Sequence, residues 1–217
     1  MLQEVLKSRR LLAVAAATVI AAGGVAVYVT SQGGGNAALS VLACEGTGER
    51  AESLDPLIGG DMAAFSVSGD HESLATLAFK TPDGDSTDIG AFAGKTVLLN
   101  IWATWCGPCR AEMPALDRLQ AELGGEDFEV VTVNIDTGPQ ERALDFLDEI
   151  GVENLAFYSD SSIAIFNDLK RRSLALGLPV THLIDDNGCR LGGMQGPAEW
   201  DSQDALALIR TAMAGSD

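Results

Sequence analysis

The sequence predicts an α/β domain in which helices flank a mixed β-sheet. From residue 96 onward, short apolar runs alternate with amphipathic segments of helical length, which is the pattern of strands joined by helices. Two further strands follow, joined by the turn 185–188, and a last amphipathic helix ends the domain. The sheet should therefore contain antiparallel as well as parallel neighbours.

The individual elements follow from local signals. Asp55 and Pro56 suit the first positions of a short helix that reaches about Phe65, and the turn 82–84 predicts a β-hairpin. The remaining elements are assigned from periodicity. The predicted elements after the short helix are the hairpin strands Leu77–Lys80 and Ser86–Ile89, strand Val97–Trp102, helix Arg110–Leu123, strand Glu129–Ile135, helix Pro139–Ile150, an edge strand Leu155–Tyr158, helix Ser161–Leu176, the antiparallel strands Val180–Ile184 and Leu191–Gln195, and helix Ser202–Met213.

The first residues predict a membrane anchor. Lys7, Arg9 and Arg10 precede residues 11–29, which carry no charge and are mostly apolar. A helix of that length spans about 28 Å, close to the hydrocarbon core of a bilayer. Basic residues before the span predict that segment 1–10 is cytoplasmic and that the following domain is exported.

Two other interpretations of this segment stay open. A cleavable signal peptide usually has a shorter apolar core, and a lipoprotein attached through Cys44 would need that cysteine directly after the apolar segment. Residues 30–43 contain three consecutive glycines and predict a flexible linker. The globular domain is then expected at residues 44–217.

The charge of the chain excludes one class of partner. The chain has 14 basic and 31 acidic residues and a formal net charge of −17. Three of the basic residues and one of the acidic ones lie in residues 1–30, so the rest of the chain carries a charge of −19. Phosphate backbones would repel such a domain, and we expect no nucleic-acid partner.

The strongest chemical signal is the segment Trp105-Cys106-Gly107-Pro108-Cys109, which follows a predicted strand and begins a predicted helix. Cys106 is thus expected at the helix N-terminus, where unpaired amide groups and the macrodipole favour a thiolate. Cys109 is close enough to form a disulfide with it. Cys106 should therefore be the attacking thiolate and Cys109 the more buried resolving thiol.

A Cys-x-x-Cys pair can also be half of a zinc site. The other cysteines and histidines are Cys44, Cys189, His71 and His182, and they include no second close pair, so we predict no metal site. A Cu(I)-binding metallochaperone module, with His182 as a possible third ligand, is the alternative from another class of function.

The chain resembles the thioredoxin superfamily, and within it the TlpA/ResA/CcmG branch of membrane-anchored periplasmic proteins. The resemblance covers about Leu54–Met213, and its most specific segments are 98–106, 110–114 and 177–181. It implies a thioredoxin fold with an N-terminal extension and with a helix and strand inserted after the second central strand.

The resemblance assigns substrate-binding residues. Pro179 is implied to be the cis-proline that faces the cysteine pair, which would leave the backbone of Leu178 free to pair with a client strand. Trp105 is expected to contact the partner beside Gly107 and Pro108. These two residues between the cysteines match ordinary thioredoxin, which favours the reducing direction.

The resemblance also indicates a base. Thioredoxins bury an aspartate in the central strand and a lysine in the next, but Asn100 and Thr132 occupy those places here. Glu112 matches the acid that this branch carries, and it lies three residues beyond Cys109 on the same helix face. We expect Glu112 to accept the proton of Cys109; the alternative is a glutamate that only complements the helix dipole.

Cys44 and Cys189 are similar in separation and placement to a pair that forms a structural disulfide in TlpA proteins. In the chain-entropy estimate, a loop of this length would stabilise the domain by about 5 kcal/mol.

The function implied by the resemblance is that of a single-pass protein of the bacterial inner membrane with its redox domain in the periplasm. It would reduce cysteine pairs in copper-centre assembly, with a Sco-type copper chaperone and the copper-binding oxidase subunit as clients. Reduction of apocytochrome c before haem attachment is the alternative. Electrons would come from a transmembrane donor of the DsbD or CcdA type, and the redox-active disulfide Cys106–Cys109 would serve without any further cofactor.

Overall fold

A computed structural model describes residue 44 and the ranges 46–69 and 72–215. The predicted cytoplasmic segment, anchor and linker, together with His71, lie outside these residues. Within the described ranges, no helix has the length and apolar character needed to span a bilayer.

An eight-stranded mixed sheet forms the centre of the domain. Its strands are β1 Ser66–Val67, β2 Ala78–Lys80, β3 Ser86–Asp88, β4 Thr96–Trp102, β5 Phe128–Asn134, β6 Tyr158–Ser159, β7 Val180–Ile184 and β8 Arg190–Gln195. They are arranged in the order β1-β8-β7-β4-β5-β6-β2-β3. The central strand β4 pairs parallel with β5 and antiparallel with β7, and the sheet is therefore mixed, as the sequence predicts.

Helices cover the sheet. They are α1 Thr47–Glu52, α2 Gly107–Leu123, α3 Glu141–Glu149, α4 Ala164–Arg171 and α5 Gln203–Ala214. Every residue of β4 and of β7 is buried. Because successive side chains of a strand point to opposite faces, both faces of the central sheet are covered.

The predicted short helix Asp55–Phe65 is wrong in form. Two 3-10 turns, Asp55–Leu57 and Gly60–Met62, take its place. Gly60 has the left-handed φ of +49°, and a Cβ there would overlap the side chain of Asp204. Since a helix interior does not contain that φ, the two consecutive glycines divide the segment.

Two later predictions need correction. The strand predicted at Leu155–Tyr158 is observed at Tyr158–Ser159 and is not at an edge, because Lys80 of the leading hairpin pairs with Ser159 and extends the sheet. The helix predicted at Ser161–Leu176 is limited to α4. Ile163, directly before α4, has a left-handed φ of 55°, so the helix cannot begin before it.

The N-terminal arm is fixed to the turn between β7 and β8. Cys44 and Cys189 form a disulfide with a Cα–Cα distance of 5.6 Å and a sequence separation of 145 residues. The hydroxyl of Thr47 donates a buried hydrogen bond of 2.9 Å to Asp185. Arg50 donates to Asp186 at 2.6 Å. The cysteine pair named from the sequence is thus joined, and its contribution to stability remains a prediction.

Candidate active site

The cysteine pair lies at the junction of the central strand and helix α2. Cys106 is the N-cap of α2, and its Sγ accepts a hydrogen bond of 3.3 Å from the backbone N–H of Cys109. Its carbonyl accepts a helical hydrogen bond from the N–H of Arg110 at 3.1 Å. An N–H directed at the sulfur would stabilise a thiolate in the reduced form.

The structure represents the oxidised state of this pair. Cys106 and Cys109 form a disulfide with a Cα–Cα distance of 5.3 Å. Cys106 retains 6% of its surface in contact with solvent, whereas Cys109 has none. Cys106 is thus the more accessible residue of the pair, and its role as the attacking thiol remains a prediction. Pro108 occupies the first turn of α2, where its missing N–H removes no helical hydrogen bond.

Glu112 is buried beneath this turn, and both of its carboxylate oxygens are hydrogen-bonded. Oε1 accepts from Asn100 Nδ2 at 2.8 Å. Oε2 accepts from the backbone N–H of Ala198 at 3.2 Å and from the indole Nε1 of Trp200 at 3.1 Å. Burial raises the pKa of Glu112 from 4.5 to about 7, and the three donated hydrogen bonds lower it in part. A group with such a pKa can both accept and release a proton near neutral pH.

Asn100 connects this carboxylate to the centre of the sheet. It pairs in register with Thr132 on β5 and with Thr181 on β7, and its Nδ2 also donates to Thr181 Oγ1 at 2.9 Å. The resemblance to thioredoxin places Asn100 at the position of its buried aspartate. In this position the amide supplies a donor to Glu112.

A cleft of about 290 Å³ reaches Glu112 from the surface. It is lined by Asp61, Ala111, Glu112, Pro197, Ala198 and Glu199. The buried carboxylate consequently has a route to solvent through this cleft.

The residues next to Cys106 in the sequence are exposed, whereas Leu178 is half-buried and Pro179 is buried. Trp105 is 68% exposed, and Gly107 and Pro108 are also exposed. The Leu178–Pro179 peptide bond is cis, as the resemblance implies. Whether these residues contact a client remains a prediction.

Asp136 is a site residue that the sequence analysis did not single out. Both of its carboxylate oxygens lie 3.2 Å from the backbone N–H of Thr104, which is the second residue before Cys106. Asn134 Nδ2 also donates to Asp136 at 3.2 Å. A signal was available, because Asp136 directly follows a predicted strand, and the carboxyl end of β5 lies beside that of the parallel strand β4.

His182 lies on the other face of the sheet from this network. Its neighbour Thr181 faces Asn100, and successive strand residues alternate between faces. His182 Nδ1 accepts from Arg190 Nε at 3.1 Å. Burial, and then the charge of Arg190, lower the pKa of His182 to about 3. The geometry therefore does not bring His182 to the cysteine pair. Within the described ranges, no group of three or more His, Cys, Asp or Glu side chains is arranged to hold a metal ion.

A dithiol at a helix N-terminus, next to the central strand of a mixed sheet and accompanied by a cis-proline, defines the thioredoxin-like class of redox proteins. The family model described as Redoxin matches residues 62–209, which is more than half of the chain. The chain therefore belongs to the redoxin family.

Individual relatives agree with this assignment. The chain is 34% identical over 115 residues to the thioredoxin-like protein YneN of Bacillus subtilis (strain 168), a match that covers 52% of this chain and 63% of that protein. It is 35% identical over 116 residues to the thiol:disulfide interchange protein DsbE of Escherichia coli (strain K12), covering 51% and 56%. Other relatives carry the name ResA, so membership of a ResA- and DsbE-like branch is confirmed, while the likeness to TlpA and the membrane anchor remain predictions.

A solved structure confirms the thioredoxin-like fold. A crystal structure from Chlorobium tepidum, described as a thiol:disulfide interchange protein DsbE, matches with a TM-score of 0.57 and 27% identity. The match covers 68% of this chain and 99% of that one. By contrast, the chain spans less than two thirds of the length of the two curated relatives above.

Proposed function

We propose that this chain is a thiol:disulfide oxidoreductase that reduces disulfides in client proteins. The observation that carries the proposal is the unequal environment of two sulfurs at one helix N-terminus. Cys106 keeps 6% of its surface exposed and accepts an N–H, whereas Cys109 is fully buried one turn further on. The names of the relatives, which describe thiol–disulfide exchange, support the same activity.

The reaction begins with the reduced pair. The Cys106 thiolate attacks one sulfur of the client disulfide, forms an intermolecular disulfide and releases the first client thiolate. The Cys109 thiolate then attacks Cys106 Sγ, breaks the intermolecular bond and releases the second client thiolate. Two electrons pass to the client, whose two sulfurs take up protons. The protein then contains the Cys106–Cys109 disulfide. This is the only redox group that the proposal requires.

Glu112 is proposed to act in the second of these steps. Cys109 must lose its proton before it can attack, and a fully buried thiol has no direct contact with water. Glu112 lies one helical turn further on the same face of α2, and its pKa of about 7 allows its ionised form to take that proton. The proton can then leave through the cleft at Asp61 and Glu199.

The cellular setting of this chemistry is also part of the proposal. Charge and hydropathy at residues 1–29 support a single-pass anchor that places the domain in the periplasm. The pairing of Cys44 with Cys189 supports a TlpA-like role, with proteins that assemble copper centres, namely a Sco-type chaperone and the copper-binding oxidase subunit, as clients. The electron donor would be a membrane protein of the DsbD or CcdA type.

Trapping of the mixed disulfide tests the activity and identifies the client. The Cys109→Ser variant of the full chain, expressed in cells, should accumulate clients linked to Cys106, and mass spectrometry would identify them. The Cys106→Ser variant is the matched control and should trap none. Linkage through neither cysteine, together with equal alkylation rates of Cys106 and Cys109 at neutral pH, would contradict the proposal. Recovery of apocytochrome c as the trapped protein would support the thiol–disulfide reaction. It would show that the client belongs to cytochrome c maturation and not to copper-centre assembly.

A further inference from the structure

The Glu112 carboxylate is held from two sides by separate parts of the chain. Asn100 on the central strand donates to Oε1. The loop between β8 and α5 supplies both donors to Oε2, from the amide of Ala198 and the indole of Trp200. Trp200 is fully buried, and its single polar side-chain atom is directed at Glu112.

We propose that Trp200 is a positioning residue for Glu112, holding Oε2 in place and stabilising the ionised carboxylate that accepts the proton of Cys109. This inference rests on the proposed function and deepens it. It gives a specific role to a side chain 88 residues away in sequence, on a loop that contributes no cysteine.

The charges around Glu112 explain why such a donor is needed. The charged side chains that line the cleft beside it are Asp61 and Glu199, and both are negative. On its own helix, the neighbouring titratable group is Cys109, which also becomes negative when it reacts. Burial of the site disfavours an ionised Glu112, and nearby negative charges do not compensate for it. Donated hydrogen bonds act in the opposite direction, and they are strongest when the acceptor is charged.

A second buried tryptophan shows that burial of an indole in this fold does not by itself require a hydrogen bond from its N–H. Trp102 is also fully buried, but its Nε1 has no hydrogen-bond partner among the described residues. The fold thus accommodates a buried indole without a bond. Trp102→Phe is therefore a matched control, since it removes a buried N–H that makes no hydrogen bond within the described residues.

The test uses the Trp200→Phe variant of the full chain in detergent. The mixed disulfide of Cys106 with glutathione is prepared, and the rate of glutathione release by Cys109 is followed from pH 5.5 to 9. Loss of a charge-assisted hydrogen bond should move the pH midpoint of this rate to higher pH by about one unit. Trp102→Phe should leave the midpoint unchanged. Infrared titration of the carboxyl stretch, assigned by its absence in Glu112→Gln, should show the same shift without any turnover.

The two readouts separate the inference from the proposed function. If Trp200→Phe has the same midpoint as the wild type in both measurements, Trp200 does not position Glu112. The proposed role of Glu112 as a base would not be affected by that result. A shift in the infrared titration with no shift in the rate would support the hydrogen bond from Trp200 to Glu112. It would contradict the proposal that Glu112 accepts the proton of Cys109. If Trp200→Phe does not fold, benzothienylalanine at this position replaces the N–H by sulfur at nearly the same ring size and must give the same shift.

Discussion

Glu112→Gln should remove a defined component of the pH dependence of stability. Burial raises the pKa of Glu112 from 4.5 to about 7, whereas unfolding returns the side chain to water and to its ordinary pKa. At 1.36 kcal/mol per pH unit, this difference corresponds to about 3 kcal/mol in the free energy of unfolding. Because Glu112 is only 3% exposed, solvent screening reduces this figure little.

The sign follows from proton binding in the two states. Below pH 4.5 Glu112 is protonated whether the chain is folded or not. Between pH 4.5 and about 7 the unfolded chain releases this proton and the folded chain keeps it, so the free energy of unfolding decreases as the pH rises. Above pH 7 both states are ionised, and the loss of about 3 kcal/mol is complete.

The informative quantity is the change with pH of the difference in unfolding free energy between wild type and Glu112→Gln. A glutamine offers one oxygen acceptor to the three donors from Asn100, Ala198 and Trp200, so the variant also loses hydrogen-bond energy. This loss does not depend on pH, and it adds a constant to the pH-dependent difference. His182 also titrates on unfolding, with the opposite sign. It is present in both proteins, and its contribution cancels in their difference.

Urea unfolding of the oxidised full chain at half-unit steps from pH 4 to 8.5 provides the measurement. The difference between wild type and Glu112→Gln should change by about 3 kcal/mol across the window, with its midpoint between pH 4.5 and 7. Glu122→Gln, at an exposed position of the same helix, controls for the loss of a carboxylate. Parallel stability curves for wild type and Glu112→Gln would refute the reasoning, because Glu112 would then titrate as it does in water.

Two further predictions concern residues outside the redox pair. The Cys44→Ser/Cys189→Ser double variant should lose up to about 5 kcal/mol of stability, since the disulfide closes a long loop, and should retain thiol exchange. Unchanged stability with lost exchange would show that this disulfide is catalytic. His182→Asn keeps an acceptor for Arg190 but cannot ionise. Because the pKa of His182 is lowered to about 3, the wild type should lose stability as the pH falls from 6.5 towards 3, and acid titration should show a smaller loss in the variant.

The central elements could be predicted because local periodicity determines them. Strand β7 spans Val180–Ile184 as predicted, and β5 differs from its prediction by one residue at each end. The sequence analysis did not find α1 or β1, which have six and two residues. Segments this short have no measurable period. They are held by distant partners, as in the pairing of Val67 with Gly192.

Some residues of the candidate site could be predicted from local spacing, and others could not. Cys106, Cys109 and Glu112 lie within two turns of one helix, so helical spacing alone places them together. The donors that surround Glu112 could not be found by spacing, because Asn100 and Trp200 meet it only after the sheet has formed. The resemblance to thioredoxin implies that Asn100 stands where an acid is missing. It did not indicate that the amide would donate to Glu112.

The ionisation of Glu112 affects both the proposed function and the stability of the folded chain. The carboxylate that can accept the proton of Cys109 is the same species whose burial lowers the free energy of unfolding. Cys109 is uncharged in the disulfide and also in the mixed disulfide before it reacts, so the surroundings of Glu112 carry the same charge in both forms. The pH at which the folded chain releases the Glu112 proton and the pH midpoint of the resolving step should therefore agree, near the pKa of about 7. A resolving step whose midpoint lay well above this pH would indicate that Cys109 loses its proton to another group.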